Sequence, residues 1–475
     1  VSHRFARLLI PALRWNAESG FGHEDALIER ALDAGVGGFI IFGGPADEVR
    51  ALTARLASRV SRPMLVGADL ERGAGQQFAG LEELPPPRAL GSLNDLDAIR
   101  LAGAATARDA LSVGINWVFA PVADLDIEPA NPIVQTRAFG DDPAWVGACV
   151  RAWVEGCQDA GALACVKHFP GHGRTVTDSH AGLPVVNATR AELGADLTPF
   201  REGISAGVAS CMTAHVAFPA LDPSGLPATR SPAMLSLLRT ELGFDGAVVS
   251  DALIMEGASA GLSEAEAYVG AMSAGVDLLL YPKDLDVALD ALTEGHRSGR
   301  LTDTRLDAAL ARHDQLLSQV QSLASGPRSA PIAGTGAALA ERLLTAPPLR
   351  ASVPPLRQPV DLLMVDDDVG GPYPPSPGDW IVRALEDSGV GFGSGGSRVV
   401  VAYAEPRGWK ERAGFGPASM ARLREIAPSA DLVLLFGHSR LAERIPGSAP
   451  ILVAWHRQRL MQEAAARWLL SRLAR

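Results

Sequence analysis

Lys167, His168, His172, Arg174, Asp178 and His180 crowd into one short stretch, Cys165-Val-Lys-His-Phe-Pro-Gly-His-Gly-Arg-Thr-Val-Thr-Asp-Ser-His180. The apolar run Ala162–Val166 before them suits a buried strand, while Pro170, Gly171 and Gly173 force a loop after it. Basic groups where a buried strand ends, with Asp-x-His a few residues on, are costly to keep unless they are used. If Asp178 accepts a hydrogen bond from the His180 ring, it fixes the tautomer and favours the imidazolium, making His180 a proton donor. Asp251, in Val248-Val-Ser-Asp-Ala-Leu-Ile-Met-Glu-Gly257, offers a carboxylate at the end of another apolar run. A carboxylate nucleophile on one side of an anomeric carbon and a proton donor on the other are what glycosyl transfer to water requires. Asp69, Arg137, Lys167 and His168 then supply the convergent groups that grip sugar hydroxyls.

Other chemistries fit these residues less well. His168 and His172 have the spacing of a helical zinc pair, but Pro170 and the neighbouring glycines forbid a helix, and no His-x-His ends the first strand. Ser250 and Ser179 adjoin Asp251 and His180, yet neither lies in a Gly-x-Ser-x-Gly elbow. Asp366-Asp367-Asp368 reads as a solvated carboxylate run rather than a metal site. Gly391–Gly396 matches a dinucleotide fingerprint only formally, because it precedes a strand instead of following one. Neither a metal nor a cofactor is expected.

The elements that position these groups alternate along the chain. Strands are expected at Leu8–Leu13, Gly37–Phe42, Pro63–Leu70, Asn116–Asp124, around 162–168, Ala209–Phe218, Gly246–Asp251 and Asp277–Tyr281, with helices between them such as Glu24–Ala34, Leu96–Val113, Ala144–Ala160, Asp196–Ala206 and Pro232–Leu242. Eight such alternations predict an α/β fold, a parallel (β/α)8 TIM-like barrel, because parallel neighbours need helical crossovers. Asp69, Asp124, Lys167, His168, His215 and Asp251 all fall at carboxyl ends of the expected strands, the face where barrels carry their chemistry.

At 475 residues the chain is too long for one ordinary core. The barrel is assigned to residues 1–322 and a linker rich in Ala, Ser, Gly and Pro to 323–358, with one helical piece near Ala337–Leu344. A smaller open α/β domain is assigned to 359–475. Hydrophobic residues make up 47% and charged residues 20%, a globular composition, and the net charge of −11 without a basic stripe argues against nucleic acid. Cys149, Cys157, Cys165 and Cys211 read as reduced core residues. The N-terminal apolar run is short and broken by Pro11, so no membrane span is expected and the location is read as cytoplasmic.

Lys167-His-Phe-Pro-Gly-His-Gly followed by Asp178-Ser-His resembles the family-three glycoside hydrolases, specifically their β-N-acetylglucosaminidase (β-N-acetylhexosaminidase) branch. Ala120-Pro-Val-Ala-Asp124, Asn131-Pro, Arg137-Ala-Phe-Gly-Asp-Asp-Pro143 and Ser250-Asp-Ala-Leu carry the same resemblance, which covers roughly residues 5–320. It implies a barrel domain followed by an αβα sandwich-like domain, and removal of terminal β-linked N-acetylglucosamine from a small carbohydrate with retention, in a bacterium from cell-wall fragments. By the same resemblance Asp251 is the nucleophile, His180 the acid/base and Asp178 its partner, with Asp69, Arg137, Lys167 and His168 binding the sugar and His215, in Thr213-Ala-His-Val near the site, counted with these substrate-binding groups. A phosphorylase, a metal-dependent barrel hydrolase and a non-enzymatic sugar-binding protein are the competing readings. One segment departs from the pattern: relatives tend to have Asp-x-Glu-Gly-Gly-Arg-Val-x-Arg-Phe, and this chain has Asp69-Leu-Glu-Arg-Gly-Ala-Gly-Gln-Gln-Phe78.

Overall fold

Pro11 cuts the first apolar run, expected as one strand, into β1 (Leu9–Ile10) and β2 (Ala12–Arg14), because proline has no N–H to give a ladder. The break is where the chain changes partners. In the computed structural model, which describes residues 2–179, 182–324, 333–367, 375–408 and 410–474, β2 opens a seven-stranded sheet in sequence order, parallel throughout. Its other members are β3 (Gly38–Phe42), β4 (Leu65–Ala68), β5 (Trp117–Val118), β6 (Leu163–Phe169), β7 (Ser210–Thr213) and β8 (Ala247–Ser250). β1 pairs instead with β9 (Leu279–Leu280), and a Val249–Leu278 bridge joins β8 to the segment entering β9. The sheet therefore curls round on itself as a TIM-like α/β barrel.

Several strands are shorter than expected. The fourth, read as Asn116–Asp124, is only Trp117–Val118, and the sixth ends at Thr213 rather than Phe218. In both, the chain leaves the ladder to become the irregular carboxyl-end loops that line the mouth. The helix expected over Asp196–Ala206 is two, Arg190–Asp196 and Thr198–Ser205. Pro199 sits in the first turn of the second helix, where its missing N–H costs nothing. The interior is filled by large side chains such as Trp117, Phe119, Phe39 and Phe169, all fully buried, and the indole of Trp117 donates to Ser210 Oγ at 2.8 Å.

The second unit is an open parallel sheet in the order β10 (Asp361–Asp366), β11 (Arg398–Ala404), β12 (Leu432–Gly437) and β13 (Ile451–Val453). Its central strands are apolar on both faces: Val399, Val401 and Tyr403 belong to one core, and Val400, Ala402 and Ala404 to another. The helices Trp380–Asp387 and Arg459–Leu470 cover the first face, and Pro417–Ile426 covers the second. Thr335–Leu344, within the stretch read as a linker, is a helix whose Ala340, Leu343 and Leu344 join the first of these cores. The two units are tied by polar contacts. Gly336 N–H donates to Glu82 (2.8 Å), Leu460 N–H to Glu83 (2.7 Å), Gln458 Nε2 to Leu84 O (2.6 Å), and His438 Nε2 meets Asp126 Oδ2 (2.7 Å). All four cysteines are buried and unpaired, and no helix among the described residues is long and apolar enough to cross a membrane.

Candidate active site

A cavity of about 630 Å³ opens at the carboxyl ends of the barrel strands, lined by Asp69, Arg137, Lys167, His168 and Asp251 together. Two others, of about 190 and 510 Å³, lie where Gly37, Met64 and Asn116 enter β3, β4 and β5, at the opposite end, and have no carboxylate on their walls. Only the first is on the face where barrel chemistry belongs.

β6 is buried along its whole length and sets Lys167 and His168 into this mouth. Lys167 Nζ meets Asp69 Oδ1 at 2.6 Å and Glu71 Oε1 at 2.8 Å, and Arg137 grips both oxygens of Glu71 at 2.7 and 2.8 Å. Burial pushes the Glu71 carboxyl up, but Arg137 and Lys167 outweigh it and hold the group well below the usual carboxylate range. Burial likewise lowers Lys167 while Asp69 and Glu71 raise it further, so the ammonium stays charged. Asp69 thus faces the cavity with an oxygen fixed by a cation, a rigid acceptor for a sugar hydroxyl.

Asp124, fully buried, orders the next residues: Oδ2 meets His168 Nδ1 at 2.7 Å, and Oδ1 accepts from His172 N–H at 2.7 Å. Burial raises this carboxyl, and His168 and His172 together more than offset it. The loop that follows is held from several sides. Gly171 has φ +131°, open to glycine, and a Cβ on Gly173 would come within 2.0 Å of Leu125 O. Asn131 Nδ2 donates to His172 O (2.9 Å), His172 Nε2 meets Ser179 Oγ (3.1 Å), and Gly257 N–H donates to Ser179 O (3.1 Å). Burial drives His172 down to about 4, so its ring is neutral. Asp178 is 1% exposed and stands beside Ser179, which reaches the cavity wall, whereas Asp178 itself does not line it. His180, the expected proton donor, lies outside the described residues.

Asp251 follows β8 directly. Burial raises its carboxyl, but His168, His215, the Ala252 N–H and Lys167 together bring it below its ordinary value. Oδ1 accepts from Ala252 N–H at 2.7 Å, and Oδ2 has no hydrogen-bond partner among the described residues. One oxygen is thereby fixed by the backbone and the other is available. His215 is fully buried behind the wall, with Nδ1 at 2.8 Å from Thr229 Oγ1 and Nε2 at 3.2 Å from Ala252 O. It supports the turn after Asp251 from beneath.

Glu71 and Asp124 escaped the list of expected site residues, although the first had a signal in Asp69-x-Glu71 and the second in its place after an apolar run. Arg14, Phe42 and Tyr281 at the ends of β2, β3 and β9 also line the cavity, with the Arg14 guanidinium 4.1 Å from the centre of the Phe42 ring. Pro375, Ser376, Glu405, Arg407 and His456 close part of it from the second domain. Nothing in their spacing connects them to the barrel. Among the described residues, no group of three or more His, Cys, Asp or Glu side chains is placed to hold a metal ion.

Known proteins resemble this chain in sequence and in fold. Over 289 residues the chain is 36% identical to a β-N-acetylglucosaminidase/β-glucosidase of Cellulomonas fimi, 58% of this chain but only 51% of that one. It is 38% identical over 278 residues to a β-hexosaminidase of Thiobacillus denitrificans, 56% of this chain and 76% of that one. Among solved structures, a glycoside hydrolase family 3 β-N-acetylglucosaminidase from Paenibacillus sp. str. FPU-7 matches with TM-score 0.83 and 27% identity over 100% of this chain and 97% of that one. A β-glucoside phosphorylase matches with TM-score 0.83 at 21% identity over 100% of this chain and 92% of that one, a likeness of fold alone. Residues 20–316, well over half of the chain, match the glycosyl hydrolase family 3 N-terminal domain, and the chain belongs to that family.

Proposed function

We propose that this protein is a retaining exo-β-N-acetylglucosaminidase that releases terminal β-linked N-acetylglucosamine. The observation that carries the reading is Asp251: a half-buried carboxylate held below its ordinary pKa, with one oxygen free, in the same cavity as the Asp69–Lys167–Glu71–Arg137 network. In the first step Asp251 attacks the anomeric carbon as the glycosidic C–O bond breaks, and His180, partnered by Asp178, gives its proton to the departing oxygen. In the second, His180 takes a proton from water, whose oxygen displaces Asp251 from the anomeric carbon. Two inversions leave the configuration as it began. Asp69, Arg137, Lys167 and His168 hold the terminal sugar, and His215 steadies the Asp251 turn. No metal takes part.

The choice of sugar is supported by relatives named for β-hexosaminidase and β-N-acetylglucosaminidase activity. Bacterial cell-wall fragments are the proposed natural source, and four unpaired, buried cysteines fit a reducing compartment such as the cytoplasm. The test is sugar release from 4-nitrophenyl β-N-acetylglucosaminide, with product anomers followed by NMR, with and without inorganic phosphate and a chelator. Free β-N-acetylglucosamine appearing first under every condition is expected. A sugar phosphate formed only with phosphate would make the protein a phosphorylase, loss of activity with chelator a metallohydrolase, and binding without turnover a sugar-binding protein.

A further inference from the structure

The two edges of the second domain's sheet differ. At β13 the chain closes the edge itself: Leu349 N–H donates to Ile451 O at 2.8 Å, and Ile451 N–H to Leu349 O at 3.0 Å. At β10 the odd-numbered residues turn their main-chain groups inward to β11, as Asp361 N–H donating to Ser397 O (2.9 Å) and Asp367 N–H donating to Tyr403 O (3.1 Å) show. The even-numbered ones therefore point away from β11. Val360, just before the strand, is covered on that side by Gly391 and Gly393, which exchange bonds of 2.8 and 3.1 Å with it. Leu362 and Met364 are not covered: their outward N–H and C=O groups have no partner among the described residues.

A sheet edge that is to stay single is ordinarily blunted by a lysine, a proline, a bulge or an unpaired charge. β10 has the sequence Asp361-Leu-Leu-Met-Val-Asp366 and keeps regular register with β11 along its whole length. Its two carboxylates are each already paired, Asp361 with Arg398 at 2.7 Å and Asp366 with Arg457 at 2.6 Å. Nothing in the strand repels a second one. Apolar side chains gather at the same place. Among the described residues after Thr335, the exposed large hydrophobic ones are Met364 (40%) and Phe392 (37%) at this edge and Leu349 (39%) at the other.

We propose that this edge joins a second copy of the chain, β10 pairing with β10 in the antiparallel sense about a two-fold axis, so that two four-stranded sheets become one. The open stretch is short. It is bounded at one end by the cover over Val360 and at the other by Asp367, whose carboxylate accepts from Gly416 N–H at 2.8 Å and draws the chain back into the domain. A strand of the same length that ends in the same way fits this space, and β10 of a second copy is such a strand. Pairing centred on Met364 lets Met364 of each copy exchange both main-chain bonds with its counterpart, and sets Leu362 of one copy opposite Asp366 of the other. Within Leu362–Asp366 no two carboxylates are then opposed. So short an interface makes a dimer that forms as concentration rises into the micromolar range, not an obligate one.

Sedimentation velocity on the full chain over a range of concentrations reads the association. Met364→Lys, which puts a charge at an exposed position, is expected to move its midpoint about tenfold or more to higher concentration while the melting temperature of the monomer stays the same. The register is read separately with Met364→Cys and Leu349→Cys. All four native cysteines are buried, so each variant adds a single accessible thiol. Two Cα atoms facing each other in a hydrogen-bonded antiparallel pair lie about 5.5 Å apart, within reach of a disulfide. Mild oxidation should therefore give a covalent dimer of Met364→Cys, joined 364 to 364 on peptide mapping, and leave Leu349→Cys monomeric. A wild type that is monomeric at every concentration, its edge covered by the chain's own residues, overturns the proposal. So does a dimer that Met364→Lys leaves as tight, or cross-linking of Met364→Cys no faster than that of Leu349→Cys.

Discussion

In the barrel, Asp69, Lys167, His168 and Asp251 stand at the carboxyl ends of β4, β6 and β8 and face one cavity. In the second domain, Asp366, Glu405, His438 and His456 stand at or just past the same ends of β10, β11, β12 and β13 and are dispersed. Asp366 pairs with Arg457 at 2.6 Å, His438 reaches across to Asp126 at 2.7 Å, and only Glu405 and His456 touch the cavity. Both sheets are parallel and both collect polar groups where strands end. The difference is closure: a sheet that curls round brings those ends together, and an open sheet spreads them along an edge, where they serve as fasteners.

The contrast is sharpest for one residue type in the two places. Asp251→Asn is expected to fold normally and to lose about 10³-fold or more in kcat, since an amide cannot form the glycosyl intermediate. Asp366→Asn, at an equivalent strand end of the open sheet, is expected to change kcat by about twofold or less, within the range of substitutions away from a site. Steady-state kinetics of the two variants side by side decide it, and similar losses would erase the distinction. Lys167→Met comes next. It leaves Glu71 and Asp69 facing each other with one cation fewer, and a fall of about 100-fold in kcat/KM together with about 3 kcal/mol of stability is expected. Denaturant unfolding and kinetics on the same preparation read both.

His172 gives a smaller effect with a pH signature. Buried in the fold, it binds its proton near pH 4, against about 6.5 in an unfolded chain. Unfolding therefore takes up a proton between those values, so the stability from keeping the ring neutral is complete above about pH 6.5 and is lost as pH falls toward 4. The span corresponds to about 3 kcal/mol at most. Unfolding free energies at pH 7 and pH 4.5 should differ less in His172→Gln than in wild type, by about one proton's worth of slope. An unchanged difference would remove His172 from the account. Smallest is Asp126→Asn, which weakens the contact with His438 and Arg440. A loss of about 1–2 kcal/mol in stability is expected, with kcat on a neutral aryl substrate less affected than by any change in the barrel mouth.

What could be read in the sequence follows the same division. The barrel was legible because its strands are short apolar runs in a regular alternation, and Asp69, Lys167, His168 and Asp251 fall where those runs end. Strand lengths were not, since apolar runs such as Asn116–Asp124 continue past the ladder into packed loops. Asp124 was seen only as a strand-end residue, because its task, fixing His168 and the backbone of His172, is one of contact rather than spacing. The second domain's share of the cavity was invisible for a simpler reason. Glu405 and His456 lie far along the chain from every motif, and only the docking of two folded units places them beside Arg72.

Intact-protein mass spectrometry, followed by peptide mapping, after incubation with a slowly turned-over 5-fluoro-N-acetylglucosaminyl fluoride tests the mechanism most directly. One sugar residue bound through an ester to Asp251 is the expected result, absent from Asp251→Asn. An adduct on another side chain, or turnover of the wild-type protein to the α-anomer with no adduct, would contradict it.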